Sequence, residues 1–160
     1  MEKLKSLIDT AHQLRAPGGC PWDAEQDRIV FEDNRMRLHV IELDSGQLTE
    51  LDRSPRQGGF DVAFSPDGRY LAYTLRRPNY LRDLRIHDFE TGRARTVSDG
   101  MADTASPAFS PDGAYLYFAA STNAGPTRFG LDMTSQERPF RAGLYALVLQ
   151  ADGDSPLAPR

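Results

Sequence analysis

The run Phe-Ser-Pro-Asp-Gly occurs at residues 64–68 and again at 109–113, an offset of 45 residues. The likeness spreads outward from it: Ala63 corresponds to Ala108, Tyr70 to Tyr115, Leu71 to Leu116 and Tyr73 to Phe118. A second element, Leu38 through Gly46, matches Leu84 through Gly92 at an offset of 46. Leu144-Tyr145-Ala146-Leu147-Val148-Leu149, followed by Asp152-Gly153, forms a third copy of that element. A chain that repeats in this way builds one supersecondary unit several times. Each unit is too small to bury its own apolar face, so neighbours must stack.

The repeated unit is made of strands. Ser-Pro-Asp-Gly puts Pro second and Gly fourth, as a type I turn between two antiparallel strands requires. Asp44-Ser45-Gly46 and Glu90-Thr91-Gly92 serve the next hairpin. The flanking runs alternate in polarity, as in Leu38, Val40, Ile41 and Leu43. The pattern predicts strands at 28–32, 36–43, 47–52, 60–65, 69–75, 82–89, 94–98, 106–110, 114–120 and 144–150. Residues 121–143 read as a turn-rich insertion, of the kind that is functional or poorly ordered. A period near 45 with four short strands per unit is that of a β-propeller, so residues 28–150 hold two to three blades. The expected fold is therefore mainly β: an incomplete propeller of antiparallel blades preceded by one amphipathic helix. Fewer than four blades do not close a ring, which leaves apolar blade faces exposed, or covered by self-association or a partner.

The helix comes first. Leu4, Leu7, Ile8, Ala11 and Leu14 recur at spacings of three and four, giving about four turns that end at Ala16-Pro17-Gly18-Gly19. A helix this short needs a surface for its apolar stripe. Gly19-Cys20-Pro21-Trp22-Asp23-Ala24-Glu25-Gln26, following such a helix, resembles the opening of the MazG family of nucleoside triphosphate pyrophosphohydrolases. That resemblance implies a magnesium-dependent enzyme whose metal is held by acidic residues on later helices, beginning with a Glu-Glu-x-x-Glu run. The chain has no Glu-Glu dipeptide, and beyond residue 30 no long helical period to place carboxylates on one face. Trp22 and Cys20 then read as a buried aromatic and a small apolar filler.

The remainder points elsewhere. Residues 33–46, from Asp33 through Gly46, and residues 107–118, from Pro107 through Phe118, resemble a propeller of the tricorn protease family. Residues 130–139 and the run Ser155-Pro156-Leu157-Ala158-Pro159 resemble the end of that family's second propeller. Single Ser-Pro-Asp-Gly turns are shared with many propellers, including those resembling the periplasmic TolB protein. The resemblance implies a gate and filter for peptides, with the serine protease site on a separate C-terminal region. No Gly-x-Ser-x-Gly elbow occurs in this chain. Two domains are expected, residues 1–27 and residues 28–160.

Composition narrows the function. With 39% apolar and 26% charged residues and a formal net charge of -4, the chain has globular composition and no overall basic surface for nucleic acid. No run of about 18 apolar residues is present to span a membrane. A single cysteine excludes an internal disulfide framework, and a cytoplasmic location is the default. Seventeen of the 19 basic residues are Arg, and both lysines, Lys3 and Lys5, fall in the MazG-like segment. Residues 69–95 carry seven Arg against Asp83, Asp88 and Glu90, a local balance of +4. This group is a candidate receiver of acidic peptide termini or phosphate, against the simpler reading of a solvated loop and strand edge. His12, His39 and His87 form no metal-ligand spacing; the two strand histidines read as surface or half-buried residues. The sequence nominates no catalytic, metal or cofactor-binding residue and no cofactor. The expected function is a non-catalytic propeller module of a tricorn-like serine peptidase, binding peptide or protein at most. The alternatives are a MazG-like pyrophosphohydrolase and a fusion product with no evolved function.

Overall fold

The computed structural model describes residues 2–17, 27–122 and 141–156. The chain divides into two compact units, Met1–Arg53 and Ser54–Arg160.

The first unit contains helix α1 (Glu2–Arg15) and strands β1 (Arg28–Glu32), β2 (Arg37–Glu42) and β3 (Leu48–Arg53), paired antiparallel in sequence order. The helix has the predicted length, but its stripe is only partly covered: Leu7 and Leu14 remain exposed. Ile8 approaches the turn at Gly46, whose φ of 66° suits glycine and whose amide closes on Glu42 O at 2.8 Å. Cys20 and Trp22 lie outside the described residues.

The second unit holds two sheets. One is four-stranded, in the order β4 (Val62–Phe64), β5 (Tyr70–Arg76), β6 (Arg82–Asp88) and β7 (Arg93–Thr96). The other is three-stranded, built from β8 (Asp103–Phe109), β9 (Tyr115–Ser121) and β10 (Gly143–Val148). Most of the insertion, residues 123–140, lies outside the described residues, as does the tail from residue 157.

The repeat seen in the sequence is reproduced in the strand registers. Ile29 pairs with Ile41, Leu71 with His87 and Leu116 with Leu147. One step along, Val30 pairs with Val40, Ala72 with Ile86 and Tyr117 with Ala146. Thus β1, β5 and β9 are equivalent, as are β2, β6 and β10. The sheets comprise one blade of four strands and two of three strands, which is the expected incomplete set. Directly paired residues share a face of the sheet, so each sheet has two faces of defined composition.

Packing follows from those faces. Ala72 and Leu84 of the four-stranded sheet are fully buried against Leu116 of the next, with Ile86, Phe109, Phe118 and Leu147 around them. Each fully buried leucine contributes about 1.5–3 kcal/mol of transfer free energy. Polar contacts fix the two sheets in register. The Arg82 guanidinium donates to both carboxylate oxygens of Asp103 at 2.9 Å, and its backbone N–H adds a third bond at 3.0 Å. Asp61 accepts from Arg82 at 3.3 Å and from the Ser106 amide at 3.0 Å. The latter bond holds Ser106 at φ 51°, at the bulge where β8 slips between Ala105 and Ala108.

Both Ser-Pro-Asp-Gly turns close as the composition predicts. The Gly68 amide donates to Ser65 O, and the Gly113 amide to Ser110 O, each at 2.9 Å. Within each turn the serine hydroxyl donates to the aspartate, at 2.6 Å in the first and 2.5 Å in the second. The same hydroxyl oxygen accepts from the following tyrosine amide, Tyr70 or Tyr115.

The histidines depart from expectation. His39 and His87 are 6% and 8% exposed, so both are buried rather than surface or half-buried residues. His39 stacks on Phe31 at 5.2 Å, and His87 meets the edge of Phe89 at 4.9 Å. His87 lies between Leu71 and Ala94 in its sheet, whereas His39 lies between Phe31 and Glu50. His12 is exposed on the helix.

Candidate functional site

Within the second unit a groove of about 660 Å³ runs between the two sheets. The two Ser-Pro-Asp-Gly turns form one end of it. Ile86, Val97, Phe109 and Leu149 supply apolar lining, and β7 contributes Arg93 and Arg95 to the rim. A mixed lining of this kind suits an extended ligand with both apolar and charged side chains.

The carboxylates of the groove are already committed. Asp67 and Asp112 are held below the usual carboxylate range, first by the Ser65 and Ser110 hydroxyls and then by the backbone amides of Arg69 and Ala114. Asp88 is lowered chiefly by Arg69, whose guanidinium lies 3.3 Å away and also reaches Glu90 at 2.9 Å. These acids hold turns and a neighbouring cation in place; they do not form an acid–base pair.

Six of the seven arginines of the stretch, all but Arg85, separate into two kinds of residue. Arg69 serves Asp88, Arg76 donates to Tyr80 O at 2.9 Å, Arg77 lies 3.4 Å from Asp83, and Arg82 binds Asp103. Those four guanidiniums are structural. Arg93 and Arg95 alternate along β7 on one face, and among the described residues neither has an acidic partner. Asp88 sits directly opposite Arg93 in the ladder, yet its ion pair is with Arg69. The run of seven arginines was visible in the sequence, but the two that remain available were not distinguished in it.

No catalytic constellation forms among the described residues. His39 Nε2 lies 3.2 Å from Asp33 Oδ2, but its other ring nitrogen is buried without a hydrogen-bond partner, so no nucleophile is coupled to it. Among the described residues, no group of three His, Cys, Asp or Glu could hold a metal ion, and no helix is long and apolar enough to cross a membrane.

No family model matches the chain. Among curated proteins it is 28% identical over 153 residues to Tricorn protease homolog 1 of Streptomyces coelicolor, covering 93% of this chain and 13% of that protein. It is 24% identical over 117 residues to the tricorn protease homolog of Saccharolobus solfataricus, covering 71% of the chain and 11% of that protein. A shorter match, 32% over 93 residues and 52% of the chain, is to dipeptidyl-peptidase 5 of Porphyromonas endodontalis, of which it covers 13%. The chain thus spans 11 to 13% of the length of these relatives. The crystal structure of the tricorn protease superposes with a TM-score of 0.65 at 21% identity, over 84% of this chain and 14% of that one. TolB from Acinetobacter baumannii superposes at 0.50 with 14% identity, over 77% of this chain and 29% of that one. The blades are therefore of tricorn and TolB propeller type.

Proposed function

We propose that this chain is the peptide-binding propeller part of a tricorn-like peptidase and carries no catalytic residue of its own. The ligand is an extended acidic peptide seated in the groove between the two sheets of the second unit. Arg93 and Arg95 receive its carboxylates in charge-assisted bonds, while Ile86, Val97 and Phe109 take apolar side chains. One observation carries this reading: the groove's own carboxylates are engaged internally, while two guanidiniums on its rim have no acidic partner among the described residues. The likeness to tricorn protease homologues supports a peptide as the ligand class.

A fluorescence anisotropy titration tests it. A labelled peptide alternating Glu and Leu binds, its Gln-for-Glu counterpart binds at least about tenfold more weakly, and raising the salt weakens only the acidic peptide. The double variant Arg93→Ala, Arg95→Ala loses that discrimination. Equal binding of the two peptides, or an unchanged double variant, overturns the reading.

For residues 1–27 the reading is a separate MazG-like module joined to the blades near Gln26-Asp27-Arg28. Its support is the Gly-Cys-Pro-Trp-Asp motif. Release of pyrophosphate from a nucleoside triphosphate with magnesium would make that module an enzyme and displace the non-catalytic reading. A frameshift or cloning join across codons 24–30 would make the chain a fusion product.

A further inference from the structure

Among the described residues, β7 pairs with β6 alone. It is the outer strand of the one blade with four strands, and closing a ring of blades does not cover such an edge. Backbone alternation decides which of its groups point outward. The Phe89 amide donates to Arg69 O, so every second residue of β6 bonds to β5, and the residues between them bond to β7. Accordingly Ile86 and Asp88 pair with Arg95 and Arg93, and the Val97 amide donates to Leu84 O at 2.9 Å. The N–H and C=O groups of Ala94 and Thr96 therefore face away from β6, and among the described residues no strand receives them. The same alternation places the side chains of Arg93, Arg95 and Val97 on one face, where all three line the groove.

We propose that the acidic peptide joins the edge of β7 as a fifth, antiparallel strand. From its N-terminus it sets an apolar side chain opposite Val97 and acidic side chains opposite Arg95 and Arg93, in the order apolar-x-acidic-x-acidic. This deepens the peptide reading of the groove and rests on it. The x residues lie opposite Thr96 and Ala94 and exchange backbone bonds with them. The acidic residues form the closer, non-hydrogen-bonded pairs, with Cα atoms about 4.5 Å from those of the arginines. Opposite charges at such positions stabilise a ladder. Antiparallel addition also continues the pairing of every strand already in this sheet. A second copy is a poor occupant, because pairing β7 with itself over most of its length sets Arg opposite Arg.

Fluorescence anisotropy with singly N-methylated peptides tests it. The parent is a capped, labelled peptide containing Leu-Thr-Glu-Thr-Glu. Methylating the nitrogen of the threonine between the glutamates removes the donor to Ala94 O and sets a methyl group against the edge, so binding weakens at least about tenfold. Methylating the first glutamate, whose N–H faces away from β7, changes binding less than about twofold. Ala94→Pro removes one outward donor and spares the bonds to β6, so it weakens the parent peptide while the thermal melt is retained. The methyl comparison uses the unaltered chain and does not depend on that variant folding. Equal tolerance of the two methyl groups, in a peptide that binds, leaves the groove reading standing and overturns strand addition. A greater loss at the glutamate, as parallel addition produces, overturns it too. No binding of the unmethylated peptide removes the groove reading and the proposal together. A dimer of the chain that Ala94→Pro dissolves assigns the edge to a second copy and also overturns it.

Discussion

Leu84 and Leu144 occupy the same register position in successive sheets, Leu84 opposite Thr74 and Leu144 opposite Ala119, yet the first is fully buried and the second 88% exposed. The difference lies entirely in what stands against each sheet, because the local sequence and pairing are repeats of each other. Substitution therefore separates local propensity from packing. Leu84→Ala is expected to cost about 2–5 kcal/mol, as for a leucine whose removal leaves a cavity. Leu144→Ala is expected to stay within about 0.5 kcal/mol of the parent protein. Urea unfolding of the two variants, with unchanged m-values, checks both figures.

The Arg82–Asp103 pair joins strands 21 positions apart, and its oxygen atoms accept two guanidinium bonds and one backbone bond. Asp103 is 2% and Arg82 14% exposed at the side chain, so removal of one partner strands a charge away from water. Asp103→Ala is expected to cost about 3–5 kcal/mol. Arg82→Lys recovers little, because an ammonium does not reproduce the bidentate fork. The exposed Arg53–Glu50 pair, at 60% and 38%, is the internal comparison, and Glu50→Gln there changes stability by less than about 1 kcal/mol. Thermal melts of the three variants rank them.

The repeated serine makes a matched pair of measurements. Ser65 and Ser110 each donate to a turn aspartate and accept a tyrosine amide with nearly the same geometry. Ser65→Ala and Ser110→Ala each leave an acceptor and a donor unsatisfied, at an expected cost of about 1–3 kcal/mol. The two costs should agree within about 0.5 kcal/mol, and their sum should equal that of the double variant because the turns share no partner. Gly68→Ala is expected to cost about 1–2 kcal/mol from backbone strain alone, since φ is +68° and open space surrounds the site.

What could be read from the chain follows from the range of each interaction. Ser65-Pro66-Asp67-Gly68 specifies its turn through bonds within five residues, and the alternation of Leu38, Val40 and Leu43 marks a strand without any partner. The ten predicted strands are accordingly present, with shifts at their ends such as β8 beginning at Asp103 rather than residue 106. The Asp61–Ser106 bond that organises that shift spans 45 residues and leaves no local trace. The burial of His39 and His87 was hidden for the same reason: a histidine in an alternating strand has the same pattern on either face, and only the ladder shows His87 paired with Leu71. Arg93 and Arg95 emerged as the available cations only after the partners of Arg69, Arg76, Arg77 and Arg82 were known.

The acid stability of the fold should decline in two stages. Burial pushes the His87 imidazole below the ordinary histidine value of 6.5, with Asp88 opposing that shift. A depressed folded-state pKa means that the unfolded chain binds the proton more readily. The stabilisation is therefore complete above the ordinary value and is lost as pH falls below it. Asp67, Asp88 and Asp112 are held below the ordinary carboxylate value of 3.8 by Ser65, Arg69 and Ser110 respectively, so their contributions persist to lower pH. They fade as pH drops through their folded-state values. Melting temperature measured against pH should thus fall first below about 6.5 and again below about 3.8. Ile41 and Leu147 occupy the position equivalent to His87 in the other two sheets. His87→Leu consequently fits the site and should abolish the upper stage while leaving the lower one. A variant that keeps the decline between pH 6.5 and 4 would assign that stage to another group.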